Sequence, residues 1–427
     1  MGYNQSVNKR TSSVAETWRP STINQTQKES SMDRMRPPNG HERPERHGTD
    51  DSKPLVAEEI GGLRPDYWSR RDEFRGQLNQ QSIENAIILN PQSIAYYTGN
   101  TIPTEAALIH TSSGWSILSP EYDAYNFEKA APDLEVHTYP YHEPFVTALE
   151  GALADIENPV GMELSGLSAS GLRELESSSG IRPMDCGDLI AGQRAVKDAW
   201  EMSRIRNASS ITGQVYAEIS EFVSETRRES EIAAFIYDRL LDMGSEHMAS
   251  QPYVKSGERA LLTHARWSSR VVDPSDHLLL EFGACVDRYH APLMRTRLGS
   301  NQSALYESAR QAVLEARDAV LGALRPGASS REIYRAYIGP LQRHHVAEMN
   351  RHALGYSIGP AFPPTWAEPS VFWIDGEREG ELLEGMVLHL VPGVVDPEQG
   401  VEHIGMSELV AITADGAERL VTAPDFL

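Results

Sequence analysis

Apolar and polar positions change their period along this chain, and the changes divide it. Residues 1 to about 60 show almost no apolar periodicity; PPNGHERPERHGTDDSKP is a run of breakers and charges. Residues 1–61 are therefore expected to form a solvated, disordered tail. Order is expected from Tyr67. DYWSRRDEFRGQLNQQSIENA predicts a helix, AIILN a short strand, and PQSIAYYTGN a loop with a short helix. AALIHT and GWSILS predict a hairpin around Ser113 and Gly114, and GALADIENPVGMEL a helix followed by a strand. Residues 62–190 read as a smaller α/β domain.

Beyond residue 190 the pattern changes. AGQRAVKDAWEMSRIRNASSITGQVYAEISEFV has apolar residues recurring at three and four, which predicts one long helix. Thr226 or Ser230 is expected to cap a second helix, EIAAFIYDRLLDMG, closed by Gly244. Strands follow in HMASQPYVKSG and HLLLEFGACVDRYHAPLMRTRLG, then two amphipathic helices, ALYESARQAVLEARDAVLGALRPG and ASSREIYRAYIGPLQRHHV. The remainder, from MVLHLVPGVV to SELVAITADGAERL, alternates as strands do. Residues 191–427 therefore predict an α+β domain with a mostly antiparallel sheet.

Composition narrows the function. The formal net charge is −22, from 61 acidic and 39 basic residues, and only 6 of the basic residues are Lys. Such a surface repels phosphate, which argues against nucleic acid or an anionic membrane as partner. It suits a salt-rich cytoplasm, so a halophilic source is one expectation and an ordinary acidic soluble protein the other. No run approaches the ~20 apolar residues of a membrane span, and the first residues carry no apolar signal core. Cys186 and Cys285 are too few and too far apart for a disulfide framework. A cytoplasmic location is expected.

Candidate chemistry lies in the strand-rich part. LLLEFGACVDRYHAPLMRTRLG sets Glu281 on an apolar strand and His290 and Arg295 on the next. A carboxylate there needs a partner or a raised pKa; a salt bridge to an Arg such as Arg295 is the bland alternative. His264 and Trp267 precede this hairpin. In HALGYSIGPAFPPTWAEPS, Tyr356, Trp366 and Glu368 offer ring faces and a charge suited to a small cationic ligand, or simply a packed surface loop. LLEGMVLHLVPGVV and GMSELVAITADG add His389 and Glu408.

In order and spacing, EFGACVDRYHAPLMRT, HALGYSIG, LLEGMVLHLVPG and SELVAITADGAERL resemble the sheet of the pita-bread superfamily of aminopeptidase P, prolidase, methionine aminopeptidase and creatinase. NPQSIAYYTGN and RAVKDAWEM are similar to landmarks of its two-domain members. The resemblance implies a C-terminal pita-bread domain, a curved antiparallel sheet with covering helices, behind a smaller creatinase-like α/β domain. It also implies a homodimer. Peptidases of this superfamily hold two metal ions with five residues, whose positions here are Glu281, Pro292, Tyr356, Val391 and Ser407. Only Glu281 remains a carboxylate, so no metal and no other cofactor is expected. The likeness extends to the ectoine hydrolase group, through Glu281 to Thr296, Gly355 to Gly359, Pro363 to Glu368 and His389 to Gly393. The aromatics which that group carries after the TG of the N-terminal domain are missing from TGNTIPTEAALIH.

The resemblance thus implies a metal-independent hydrolase acting on a C–N bond of a small cyclic amidine or guanidino compound. Glu281 would be nucleophile or base, and His264, at the position of creatinase's catalytic histidine, would move the proton. Tyr356, Trp366, Glu368, His389 and Glu408 would orient the substrate, and His290 or Arg295 would take its carboxylate. An Xaa-Pro peptidase and a non-catalytic binding protein are the alternatives.

Overall fold

The computed structural model of the protein describes residues 65–156, 158–300 and 303–427. The tail expected over residues 1–61 lies outside them. The first sheet has six strands: β1 (Asn85–Ile88), β2 (Ala107–Thr111), β3 (Gly114–Pro120), β4 (Glu135–Tyr139), β5 (Val160–Met162) and β6 (Pro183–Asp185), in the order β4-β3-β2-β1-β5-β6. β2 pairs antiparallel with β1 and β3; the remaining neighbours are parallel. The helices around it are α1 (Tyr67–Gln80), α2 (Pro91–Thr98), α3 (Ala124–Ala130), α4 (Phe145–Ala152), α5 (Ala169–Ser179) and α6 (Gly187–Ala195). The period of two divides β1 between two cores. Ala86 and Ile88 pack with Phe74 and Leu78 of α1 and Tyr97 of α2. Ile87 packs with Leu149 of α4 and Leu175 of α5.

The long helix expected from residue 191 is two helices. α6 stops at Ala195, Val196 bridges to Met386, and α7 (Ala199–Phe222) starts afresh. Asp198 and Glu201 form a capping box: the Asp198 side chain accepts from the Glu201 amide (2.8 Å) and Glu201 accepts from the Asp198 amide (3.0 Å). A capping box satisfies donors that a continuous helix would spend internally, so it favours the break. Lys197 closes α6 by donating to the carbonyls of Arg194 (2.8 Å) and Ala195 (3.2 Å).

The second part contains β7 (Arg227–Arg228), α8 (Glu229–Asp242), β8 (Tyr253–Ser256), β9 (Val271–Val272), β10 (Leu278–Val286), β11 (Tyr289–Arg297), α9 (Ala304–Ala323) and α10 (Ser330–Arg343). After them come β12 (Gly355–Ile358), β13 (Ala367–Ile374), β14 (Val387–Leu390), β15 (Gly393–Asp396), β16 (Val401–Gly405), β17 (Glu408–Thr413) and β18 (Gly416–Arg419). Their sheets run β11-β10-β8 and β13-β12-β14-β17-β18, with the small pairs β15-β16 and β7-β9. Every pairing in this part is antiparallel, as the alternating pattern predicts. Neither Thr226 nor Ser230 caps α8. The helix starts at Glu229, and Glu231 accepts the Arg228 amide (2.6 Å). Gly244, at φ +89°, follows it as expected. Among the described residues no helix is long and apolar enough to cross a membrane.

Helix α7 is fastened to the β10–β11 hairpin by polar side chains as well as apolar ones. The Tyr216 hydroxyl reaches the carbonyls of Leu280 (3.2 Å) and Leu293 (2.6 Å). Thr212 donates to the Ala291 carbonyl and accepts from the Ala284 amide, both at 2.9 Å. The hairpin turns through Asp287 (φ 48°) and Arg288 (φ 69°), both left-handed, which suits a two-residue turn. The buried Arg288 guanidinium holds that turn through the Ala361 and His247 carbonyls.

Candidate active site

The register of β10 decides which side chains meet. Glu281 stands opposite Met294 on β11 and Tyr253 on β8. With a period of two, Lys255, Leu279, Pro292 and Thr296 share its face. Arg295, one residue from Met294, points to the opposite face. It is fully buried there and donates to the carbonyls of Pro424, Met294 and Ser407. The expected role of Arg295 as a substrate carboxylate ligand is therefore corrected: its donors serve backbone carbonyls and the Glu408 carboxylate. His290 lies at the far end of the strand opposite Cys285. It is fully buried, Nε2 accepts the Ala249 amide (2.9 Å), and burial holds its pKa down to about 3. Ligand contact expected of His290 does not fit that placement.

The same alternation of faces governs the second sheet. Tyr356 pairs with His389, while Ser357 pairs with Glu368 and Leu390 with Glu408. Glu368 and Glu408 consequently lie off the Tyr356–His389 face. Glu368 is buried against the Arg194 guanidinium, with Lys197 Nζ at 4.0 Å. Glu408 is buried and accepts twice from Arg419, each at 2.9 Å, with Arg295 at 3.4 Å. Both are ion-pair members and not the substrate ligands expected.

Tyr356, Trp366, His389 and Ser407 form one hydrogen-bonded chain. Trp366 Nε1 donates to the Tyr356 hydroxyl at 3.1 Å. An indole N–H only donates, so the hydroxyl proton is free to go on to His389 Nδ1 at 2.9 Å. That places the imidazole proton on Nε2, which donates to Ser407 Oγ at 2.7 Å. Ser407 Oγ also accepts the Met294 amide at 2.6 Å, tying the chain to the strand beside Glu281. Burial presses the His389 pKa down to about 3, which keeps the ring neutral and the assignment consistent. With both its nitrogens engaged, His389 fixes Tyr356. The charge of Glu281 reaches the Tyr356 hydroxyl, whose pKa is raised first by burial and then by that charge.

Around Glu281 stand groups that the sequence reading missed. Lys255 is buried, and its ammonium donates to the Thr263 carbonyl (2.8 Å). Arg266 lies over the Tyr253 ring, 3.7 Å from its centroid. The Tyr253 ring faces Trp366 edge-on at 6.4 Å and His264 at 6.0 Å. The loop carrying His264 and Arg266 is clamped by Glu229, which accepts from the amides of Ser256 (2.9 Å) and Ser268 (2.8 Å) and from Arg259 Nε (3.0 Å). Arg259 in turn donates to the Arg266 carbonyl (2.6 Å).

Part of Glu281 remains accessible, yet its carboxyl is strongly desolvated. Burial pushes its pKa up to about 7, against the pull of Lys255 and Arg266. Burial pulls Lys255 down to about 8, with Glu281 opposing. The two therefore titrate as a pair close to neutrality. His264 is exposed at the rim. Its pKa is lowered by desolvation, then by Lys255 and Arg266. The charges that act on His264 are thus cations, and they favour its neutral form. Two clefts lie elsewhere, about 640 Å³ beside Trp115 and His137 and about 530 Å³ beside Arg194 and Glu368.

Residues 203–414 match the Metallopeptidase family M24, and residues 70–196 match the Creatinase/Prolidase N-terminal domain. The fold is the one expected, a creatinase-like N-terminal domain followed by a pita-bread domain. Among its relatives is the Xaa-Pro dipeptidase of Pyrococcus horikoshii, 24% identical over 344 residues that cover 80% of this chain and 94% of that protein. The ectoine hydrolase of Halomonas elongata is 26% identical over 283 residues, 63% of this chain and 69% of that protein. The prolidase structure from Pyrococcus horikoshii superposes with a TM-score of 0.74 at 22% identity, covering 83% of this chain and 99% of that one. That likeness shows the fold.

A two-metal centre does not fit the donor set of this pita-bread protein. Pro292 and Val391 offer no side-chain donor, and Tyr356 and Ser407 are engaged with His389. Among the described residues no group of three or more His, Cys, Asp or Glu side chains is placed to hold a metal ion.

Proposed function

We propose that this pita-bread hydrolase opens a C–N bond in a small cyclic amidine, amide or guanidino compound without a metal-bound water, in the manner of an ectoine hydrolase. The observation that carries this reading is the fate of the five metal positions. One keeps a carboxylate, Glu281, and two of the others are built into the Trp366–Tyr356–His389–Ser407 chain.

A protonated amidine carbon is already electrophilic, which lowers the demand for a Lewis acid. Ionised Glu281 attacks that carbon or takes a proton from the water that does. The neutral imidazole of His264 takes up the proton that the water gives up, directly or through Glu281, and as imidazolium returns it to the leaving nitrogen as the C–N bond breaks. Where Glu281 attacks first, that water then hydrolyses the acyl-enzyme, and either route gives an N-acyl diamine. General acid–base catalysis of this kind contributes ~10²–10⁴-fold. Tyr356, Trp366 and Tyr253 supply ring faces to the cationic part of the substrate.

A second reading, an Xaa-Pro peptidase, is favoured by the Pyrococcus horikoshii dipeptidase, which matches along more of both chains than the ectoine hydrolase does. A substrate panel separates the two. Ectoine, hydroxyectoine, creatine and Xaa-Pro dipeptides are incubated with the full chain, and products are followed by mass spectrometry. Ring opening of a cyclic amidine with the dipeptides untouched supports the proposal. Dipeptide cleavage alone overturns it.

A further inference from the structure

With Arg295 and His290 committed elsewhere, the anionic end of a substrate needs another receptor. We propose that Lys255 and Arg266, with the imidazole of His403, form a built-in carboxylate subsite beside Glu281. This rests on Glu281 being the reacting centre, and it narrows the substrate to a compound whose carboxylate lies close to the C–N bond that is cut.

Charge is the first support. The charges acting on Glu281 are those of Lys255 and Arg266, and the charges acting on Lys255 are those of Glu281 and Arg266. Two cations therefore face one carboxylate, and a surplus positive charge in a desolvated recess is costly until an anion joins it. The Lys255 ammonium has three protons and spends one on the Thr263 carbonyl.

Unpaired donors are the second support. Arg266 Nη1 is buried without a partner, although the guanidinium is held in place by the Tyr253 ring and by Ser250 Oγ (3.3 Å). His403 is buried, and both its ring nitrogens lack a partner. The ring lies against Gly393 and Gly405. A Cβ at either would come within 2.9 or 3.0 Å of His403 Nε2, so the space for it exists because those residues are glycines. Lys255 acts electrostatically on His403, on its ring neighbour His352 (5.5 Å) and on His264, which ties these groups to one region. His352 Nδ1 is spent on the Ala353 carbonyl (2.9 Å), so its free Nε2 is an acceptor. Within this recess that nitrogen suits an N–H of the same ligand.

Buried donors of this kind are the expected signature of a missing acceptor, since burying them unpaired is unfavourable. A planar guanidinium on an aromatic ring is also preorganised for a carboxylate.

The test uses cyclopentanecarboxylate and cyclopentanecarboxamide, matched in shape and different in charge, titrated calorimetrically into the full chain. The carboxylate is expected to bind ~10-fold or more tightly than the amide, the order of a charge-assisted contact. Arg266→Met should bring the carboxylate down to the level of the amide, and Arg266→Lys should restore part of the difference. Circular dichroism of each variant establishes that it is folded. Equal or absent binding of the two probes overturns the subsite, as does undiminished carboxylate binding by folded Arg266→Met. No bond is broken in this assay, so its result is separate from whether any cyclic amidine is turned over.

Discussion

Replacing Tyr356 by Phe removes one oxygen atom and keeps the ring. That oxygen accepts from Trp366 Nε1 at 3.1 Å and donates to His389 Nδ1 at 2.9 Å. Trp366 is 3% exposed and His389 0%, so water does not readily replace what is lost. Each orphaned buried group costs about 1–3 kcal/mol, and two of them about 2–6 kcal/mol. Because the ring stays, the stacking on Trp373 at 5.7 Å is retained and adds little to the loss. Against a typical stability of roughly 5–15 kcal/mol this is a large effect. Urea unfolding followed by tryptophan fluorescence should show a lower midpoint with an unchanged slope. Trp366→Phe in the Tyr356→Phe background should then cost less than it does in the wild type, because its donor partner is already gone. A midpoint shift worth less than about 0.5 kcal/mol would refute the claim that this oxygen holds the chain together.

Glu281→Gln should lower turnover of the responsive substrate by ~10³-fold or more with the fold intact; near-normal activity with an unchanged melt makes Glu281 a structural ion-pair member. His264→Ala should lose most of kcat with a smaller change in KM, whereas His290→Ala, buried behind the hairpin, should show itself mainly as lost stability. The reverse pattern would move the proton transfer to His290. Acidification should destabilise the fold. His277, His290 and His389 are held neutral by burial, at about 4, 3 and 3, against an ordinary 6.5. The folded state thus binds fewer protons than the unfolded chain as pH falls below 6.5, so their contribution is full above that value and drains away towards pH 3, at about 1.4 kcal/mol per unit for each group. A Tm that stays level from pH 7 to 4.5 contradicts this.

Much of the fold could be read from periodicity. The hairpin at Ser113–Gly114, the antiparallel second half and the apolar strand under Glu281 follow from where apolar residues fall. The break at Val196 could also have been read, because Asp198 and Glu201 have capping-box spacing inside the helical run. Site residues were harder, for a reason of parity. Arg295 and Glu281 look like partners in sequence, but the two-residue turn at Asp287–Arg288 pairs Glu281 with Met294 and turns Arg295 to the other face. Glu368 and Glu408 fall off the Tyr356 face by the same rule. Lys255 had a signal in composition. In a chain with 6 Lys, two of the three that are described are buried, Lys255 and Lys197, and both are tied to a carboxylate. That Arg266 and His403 join the same recess depends on a loop clamped by Glu229 and on two glycines, and no local pattern records it.

Metal binding separates a metal-free hydrolase from a metallopeptidase. The full chain is dialysed against Mn(II), Co(II) or Zn(II), then against metal-free buffer, and its metal content is measured by elemental analysis together with the thermal melt. Retention well below one ion per chain is expected, with a melt that neither added metal nor EDTA moves. Stoichiometric retention of one or two ions, with a melt that EDTA lowers, would contradict the account and return the chain to the metallopeptidases.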